Sequence, residues 1–304
     1  MIAPRFWSVA RVPAAGAVPA ARLVPGSTVE RTGWSDDGQA AADAHAQQRL
    51  EEALRRRNAG EAVPLREPRA AYGTPIREEV VAVEGASRVT RNAYGSLCLN
   101  TPAMFVADVD AEPAVAARGW LGRLAEELGL LRPRHLGGVA PPPEAALDAQ
   151  QATLLGRLEG LRREGGGDFR LFRTAAGFRV LRVDRPLRVG EDDAEVFAAF
   201  NALGADPAYA RICRLQRCFR ARLTAKPWRV GVPAPPRHWM VPPVPASDAA
   251  ARAAWVSRHE AASAGTAACR FVAAVGGGAV HPELALPLAL HDGLSGAREG
   301  LPLA

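Results

Sequence analysis

"DFRLFRTAAGFRVLRVD", residues 168–184, is the stretch that decides the fold. Two runs rich in Phe, Leu and Val, 168–174 and 178–184, flank a short Ala-Ala-Gly, and paired apolar runs around a glycine-containing turn specify a β-hairpin. Outward from it, "SLCLN" (96–100) and "AMFVADVD" (103–110) predict a second strand pair joined by "NTP", and "EEVVAVEG" (78–85) has strand composition. Helical patterning fills much of the rest. "RGWLGRLAEELGLL" (118–131) sets Leu121, Leu124 and Leu128 on one face and is followed by a loop at 132–144. A further helix passes through Leu147, Leu154, Leu155, Leu158 and Leu161 and closes at three glycines (165–167); another surrounds Val196, Phe197, Phe200 and Leu203 and stops at Gly204. Strands come in adjacent pairs rather than alternating with helices. The expected class is α+β, with a mainly antiparallel sheet built from hairpins 96–110 and 168–184, helices packed on one side, and a helical C-terminal extension.

The flanks read differently. Residues 1–35 look irregular, and "VPAAGAVPAA" (12–21) is too rich in proline for a signal-peptide core. A polar, exposed helix follows at 40–60, so 1–60 is taken as a leader with one helix. The core domain is 61–230. "GVPAPPRHWMVPPVPAS" (231–247) reads as a proline-rich linker. A small, mostly helical segment (248–304) follows: a helix from Ser247 past Trp255, a strand "CRFVAAV" and a helix near "HPELALPLALHDGL".

Hydrophobic residues make up 48% and charged residues 23% of the 304, a globular composition. No apolar run approaches the ~18–20 residues of a membrane span, so no membrane partner is expected. Four scattered cysteines, Cys98, Cys213, Cys218 and Cys269, argue against a disulfide scaffold and fit a reducing cytoplasm. Abundant Ala and Arg look like the product of a GC-rich, bacterial-type coding sequence. The net charge of +6 is nevertheless uneven: Pro207 to Pro245 holds eight basic residues and no acid, leaving the remainder slightly acidic.

That basic stretch reads as one helix. Asp206 caps it, Pro207 opens it, and Ile212, Leu215, Phe219 and Leu223 form its apolar stripe. At 100° per residue Arg214 and Arg217 oppose the stripe, while Arg220 and Arg222 flank it. The helix is expected to end near Thr224, because the residue before Pro227 disfavours helical geometry. Lys226, the only lysine in the chain, then sits just past a helix C-terminus. One functional class follows from composition: a non-catalytic module binding nucleic acid or an acidic partner through 207–237. Arg214, Arg217, Arg220 and Arg229 would track phosphates, and Trp228 would stack on bases.

A second class is catalytic. Asp108 and Asp110 stand two apart on a strand, so both carboxylates face one side, with Glu112 beyond them if the strand continues. Such a pair suits Mg²⁺ or Mn²⁺, hard cations held by one or two carboxylates and phosphates. In the hairpin, Arg173, Thr174 and Arg179 are candidates for phosphate oxygens, and Gly177 allows close backbone approach. Cys213 and Cys218 would lie about 140° apart on a helix, which excludes a shared zinc ion. No P-loop, dinucleotide-binding glycine motif or nucleophile elbow is present, and nothing calls for zinc, haem, flavin or NAD.

"FVADVD", then helical sequence, then "RTAAGFRV", resembles the archaeo-eukaryotic primase superfamily, the primase–polymerases, over about residues 96–184. The resemblance implies a divalent-metal-dependent nucleotide- or nucleic-acid-processing protein, or a divergent or inactive relative. It assigns Asp108 and Asp110 as catalytic metal ligands and Thr174 as a phosphate contact, with Arg179 at the place of the family's histidine. Lys226 is nominated for the triphosphate. Arg179 departs from the family pattern, and Asp184 is the nearest stand-in for a third acidic motif.

Overall fold

The computed structural model describes residues 1–14, 27–67, 73–111 and 142–304. The chain runs β1 (Phe6–Pro13), β2 (Thr28–Ser35), α1 (Gln39–Asn58), β3 (Glu79–Glu84), β4 (Ser87–Arg91), β5 (Leu97–Thr101), β6 (Val106–Asp110), α2 (Glu144–Gly165), β7 (Phe169–Thr174), β8 (Gly177–Arg182), α3 (Asp193–Leu203), α4 (Pro207–Gln216), β9 (Phe219–Arg222), α5 (Arg237–Met240), α6 (Ala249–Ser263), β10 (Cys269–Val275) and α7 (Pro282–Leu294). Every pairing between these strands is antiparallel, so the class is α+β as the hairpin predicts. The helix expected at 118–131, Glu112 and nearly all of the loop at 132–144 lie outside the described residues.

The hairpin 168–184 forms and becomes the middle of a four-stranded sheet of order β10-β7-β8-β6. Every residue of β8 is buried, because both faces of this interior strand are covered. One face carries Arg173, which pairs with Glu144 and Asp148 of α2. The other carries Phe172, whose ring packs edge-on against His291 of α7 at 4.8 Å. Cover on both faces replaces the expected helices on one side.

A second sheet has the order β3-β4-β5-β9. The strand pair expected at 96–110 is therefore not a hairpin: β5 pairs with β4 and β9, whereas β6 pairs with β8. The reason is the plug between them. Met104 and Phe105 are fully buried, and Phe105 lies 5.1 Å from Phe200 and 5.5 Å from Phe219, so the chain crosses the core there instead of turning back. Tyr209 of α4 ties the sheets together. Its hydroxyl donates to the Val106 carbonyl of β6 (2.8 Å) and accepts from the Arg220 N–H of β9 (3.2 Å).

The basic segment is likewise not one helix. α4 ends at Gln216, Arg217 takes a left-handed backbone (φ 50°), and β9 follows. Pairing β9 with the open edge of β5 outweighs continuing the helix, so the expected stripe breaks. Phe219 and Leu223 are buried, but Leu215 is 50% exposed, and α4 buries Tyr209, Cys213 and Gln216. Lys226 consequently follows a strand, in extended backbone at the start of a 3-10 turn (Pro227–Arg229), and not a helix C-terminus.

The expected irregular leader contains β1 and β2, paired along their full length. Their partnership spans too many residues for local patterning to reveal. α1 covers the face that carries Gly33 and buries Ala42, Ala46 and Leu50. The proline-rich stretch is packed as well, with Val232 and Met240 in a cluster around Trp255 of α6. The C-terminal strand β10 is an edge of the hairpin's own sheet.

A side chain at Gly33 would overlap the backbone nitrogen of Ala46 and the carbonyl oxygen of Ala42. Gly33→Ala is expected to lower stability by at least about 3 kcal/mol, because backbone cannot yield as a rotamer does. Urea denaturation with an unchanged midpoint would contradict this docking of α1.

Candidate functional site

Cross-strand register sorts the candidate residues into two rows. Asp108, Arg179, Phe172 and Phe271 lie directly opposite one another across β6, β8, β7 and β10. One step toward the sheet's end, Asp110, Gly177, Thr174 and Cys269 form the next row on the same face. Asp108, Asp110, Thr174 and Arg179 are thus brought onto one face by pairing alone. A Cβ at Gly177 would collide with the Val109 carbonyl, so the close approach of β8 to β6 requires glycine. The Thr174 hydroxyl oxygen accepts from the Ala176 N–H at the hairpin tip (3.4 Å).

Arg179 is not presented to solvent. Its side chain is 2% exposed, with Nε 3.5 Å from Asp108 Oδ1, and one terminal nitrogen donates to the Arg222 carbonyl of β9 (2.9 Å). The same nitrogen lies 3.3 Å from His291 Nε2. A guanidinium only donates, so Nε2 accepts and His291 carries its proton on Nδ1, which donates to Asp292 Oδ1 (2.9 Å). Burial opposes the Arg179 charge, but its neighbours, Asp108 foremost and then Cys269 and Tyr209, together outweigh it and hold the guanidinium above its usual pKa. Cys269 packs against this chain at 3.7 Å from His291 Nε2. Arg179 is therefore the prop behind Asp108, not a freely exposed phosphate ligand.

The end of this face meets the segment after β9. Ser96 donates to the Ala225 carbonyl (2.7 Å) and the Leu97 N–H to Thr224 Oγ1 (2.9 Å), which fixes the chain leading to Lys226. Lys226, half-buried, feels both Asp110 and Asp108. Burial first, then Arg222 and Arg229, bring its ammonium down to about 8. Arg229 is lowered by burial and by Arg222. Across from them, burial, then Asp108 and Asp206, push the Asp110 carboxyl up to about 6, although the residue is exposed at the strand end. Asp206 belongs here because its N–H donates to the Asp108 carbonyl (2.9 Å) at the free edge of β6. Among the described residues, Lys226, Arg229 and the Asp110 carboxylate have no ion-pair or hydrogen-bond partner for their charged groups. Two aromatic rings border them: Trp228, 5.7 Å from Lys226 Nζ, and Tyr94, 5.6 Å from Trp228.

The other basic residues go elsewhere. Arg220 is buried and bound by both oxygens of Glu78 at 2.7 Å, because it sits within β9 and not on a helix flank. Arg214 lies over the Phe197 ring at 3.9 Å, and Arg217 caps α4. Arg222 donates to the carbonyls of Thr224 and Ala304. Asp184, the stand-in for a third acid, is bound to Arg182. Sequence reasoning missed Asp206, Arg222 and Tyr94 as members of the site. Asp206 was legible only as a helix cap, and the other two carried no signal.

Mg²⁺ or Mn²⁺ was the expected occupant of Asp108 and Asp110. Among the described residues no three His, Cys, Asp or Glu side chains converge on one point, and Asp108 faces Arg179.

Glu78→Gln would leave a buried guanidinium without its counter-charge. It is expected to cost about 3–5 kcal/mol, read by urea denaturation; a loss below 1 kcal/mol would return Arg220 to the list of available cations. No family model matches the chain, and neither the curated proteins nor the solved structures include one similar to it.

Proposed function

We propose that the cluster at Lys226 and Arg229 binds the phosphate groups of a nucleotide-type ligand, in a divergent, primase-like nucleotide- or nucleic-acid-processing protein. The observation that carries this reading is a crowd of cations lacking an anion. Lys226 and Arg229 are half-buried, stand beside Arg222, and have no acidic partner in contact, while Asp110 is near enough to be felt but not to pair. Repulsion of this kind is relieved by a phosphate, which accepts from both cations at once. Trp228 and Tyr94 supply flat surfaces for a base. The resemblance of "FVADVD" and "RTAAGFRV" to the primase–polymerases supports the same ligand class, since those motifs are cross-strand neighbours at Asp108 and Arg179. The arginines of 207–237 point to different places, so the cluster and not the whole segment carries the reading. The contribution of a divalent ion at Asp108 and Asp110 is read by comparing binding with and without Mg²⁺ or Mn²⁺.

Nucleoside triphosphates are expected to raise the melting temperature, and Lys226→Ala to weaken binding roughly ten- to hundredfold, the range for hydrogen bonds to charged groups. Misfolding would not explain that loss. A lysine lowered in the native state is penalised there when charged. Below about 8 it is protonated both folded and unfolded, so the penalty is fully present, and it is relieved as the pH climbs from about 8 toward the unfolded value of 10.5. At neutral pH Lys226→Ala should therefore be at least as stable as the natural chain. Binding should fall as pH rises through about 8, where Lys226 loses its charge, and Lys226→Arg should flatten that decline. A melting temperature unmoved by nucleotide at saturating concentration, with and without metal, overturns the reading.

A further inference from the structure

A second cavity lies far along the chain from this site. In β1 and β2, register places Trp7 opposite Trp34, Val9 opposite Thr32 and Arg11 opposite Glu30, all on the face away from Gly33. That face lines a cavity of about 680 Å³, closed on its other side by residues 73–78 and 237–245. The two indoles are 6.0 Å apart, with the Arg49 guanidinium 4.6 Å from the Trp34 ring and that of Arg77 5.6 Å from the Trp7 ring.

The charges in the cavity wall do not balance. Its three carboxylates are each engaged: Glu30 by Arg11, Glu67 by Arg49, and Glu78 by Arg220 from the core side. Arg66 and Arg237 also line it, both exposed, and neither has an ion-pair partner among the described residues. Trp7 is itself buried, so the aromatic surface the wall offers is the part of half-buried Trp34 left exposed beside Arg49, together with the uncompensated guanidinium groups of Arg66 and Arg237. Indole faces take bases, and arginines beside them take the intervening phosphates.

We infer that this cavity is a binding groove for single-stranded nucleic acid. A polymer fits better than a mononucleotide because of the turn at 92–95. Ala93 lies in the groove wall, and the next residue, Tyr94, packs against Trp228 beside Lys226 and Arg229. One short turn therefore adjoins both stacking surfaces. The groove itself does not depend on the Lys226 site.

The test is fluorescence anisotropy of a labelled homopolymer of about 20 nucleotides, titrated with the full chain at several salt concentrations. Binding should weaken steeply with salt. Arg66→Ala combined with Arg237→Ala, both exposed and unpaired, should reduce affinity roughly tenfold. The slope of log affinity against log salt should become shallower by roughly 1.4, for two lost phosphate contacts. Trp34→Leu should weaken binding roughly tenfold as well, with circular dichroism confirming the fold. The double variant should keep the thermal shift given by nucleotides and Lys226→Ala should keep the salt-dependent groove binding, so that either site can fail alone. Absence of binding, or binding that the double variant leaves unchanged, overturns the proposal. So does displacement by an acidic or proline-rich peptide at lower concentration than by unlabelled oligonucleotide, which would make the groove a peptide site.

Discussion

A single buried guanidinium sets how the main parts of this protein face one another. Arg179 projects from the interior strand β8 and touches Asp108 of β6, the Arg222 carbonyl of β9 and His291 of α7. Apolar burial holds the two four-stranded sheets together, but it is non-directional and does not choose an orientation. A planar fork with fixed donor directions does. Burying such a group costs several kcal/mol unless its geometry is good and its counter-charge is near. Here the compensation is incomplete, since Nε lacks a well-directed hydrogen bond, and the remaining contacts must be kept together. β10 and α7 supply His291 and the Cys269 beside it. Residues 269–304 are thus bound into the same arrangement that aims Asp108.

The charges at the end of the sheet behave unlike those elsewhere. Structural pairs in this protein close fully: Arg220 meets Glu78 at 2.7 Å, and Arg182 meets Glu195 at 2.6 Å and Asp184 at 2.8 Å. Asp110 and Lys226 sense one another and stay apart, each pushed toward its neutral form by burial and by like charges on its own side. Side chains free to close a salt bridge would have done so. The rigid mounts prevent it: Asp110 ends a strand, and Lys226 follows a segment pinned by Ser96 and by the N–H of Leu97. Opposed but separated charges on fixed supports, with shifted pKa values, are the grounds for proposing a ligand site here rather than an ion-pair network.

The hairpin at 168–184 was legible because its information is local: alternation on both arms and a glycine where backbones approach. What remained hidden depends on partners distant in sequence. β1 and β2 contain Arg, Ser, Gly and Pro, and become strands only by pairing with each other under α1. The break at Arg217 has no propensity signal, because a non-glycine residue takes the left-handed cap. Only the alternation of Phe219-Arg220-Ala221-Arg222 hinted at β9, and it was absorbed into a helical stripe that fits the same residues nearly as well. For the site, residue chemistry carried further than secondary structure. Asp108, Asp110 and Lys226 stood out as a strand-borne acid pair and a lone lysine, although Lys226 was placed after the wrong element. Arg179 was read as a surface contact because a hairpin alone does not say which strand will be interior. Asp206 and Tyr94 gather with the others only once both sheets are assembled.

The lone lysine has a physical rationale in this setting. Between Arg222 and Arg229, half-buried, a third permanent charge would be repelled at every pH without an anion to offset it. Arginine cannot shed its proton in a protein, so that repulsion would persist whenever the site is empty. Lysine can, and with its ammonium brought down to about 8 it does so once the pH rises past that value, well below the ordinary 10.5. It also places its charge on one compact atom rather than on a planar fork. Lysine at 226 can therefore offer a cation to an arriving phosphate and, as the pH rises past about 8, shed its charge in the empty site, within a chain that otherwise relies on arginine for every other cation of this kind.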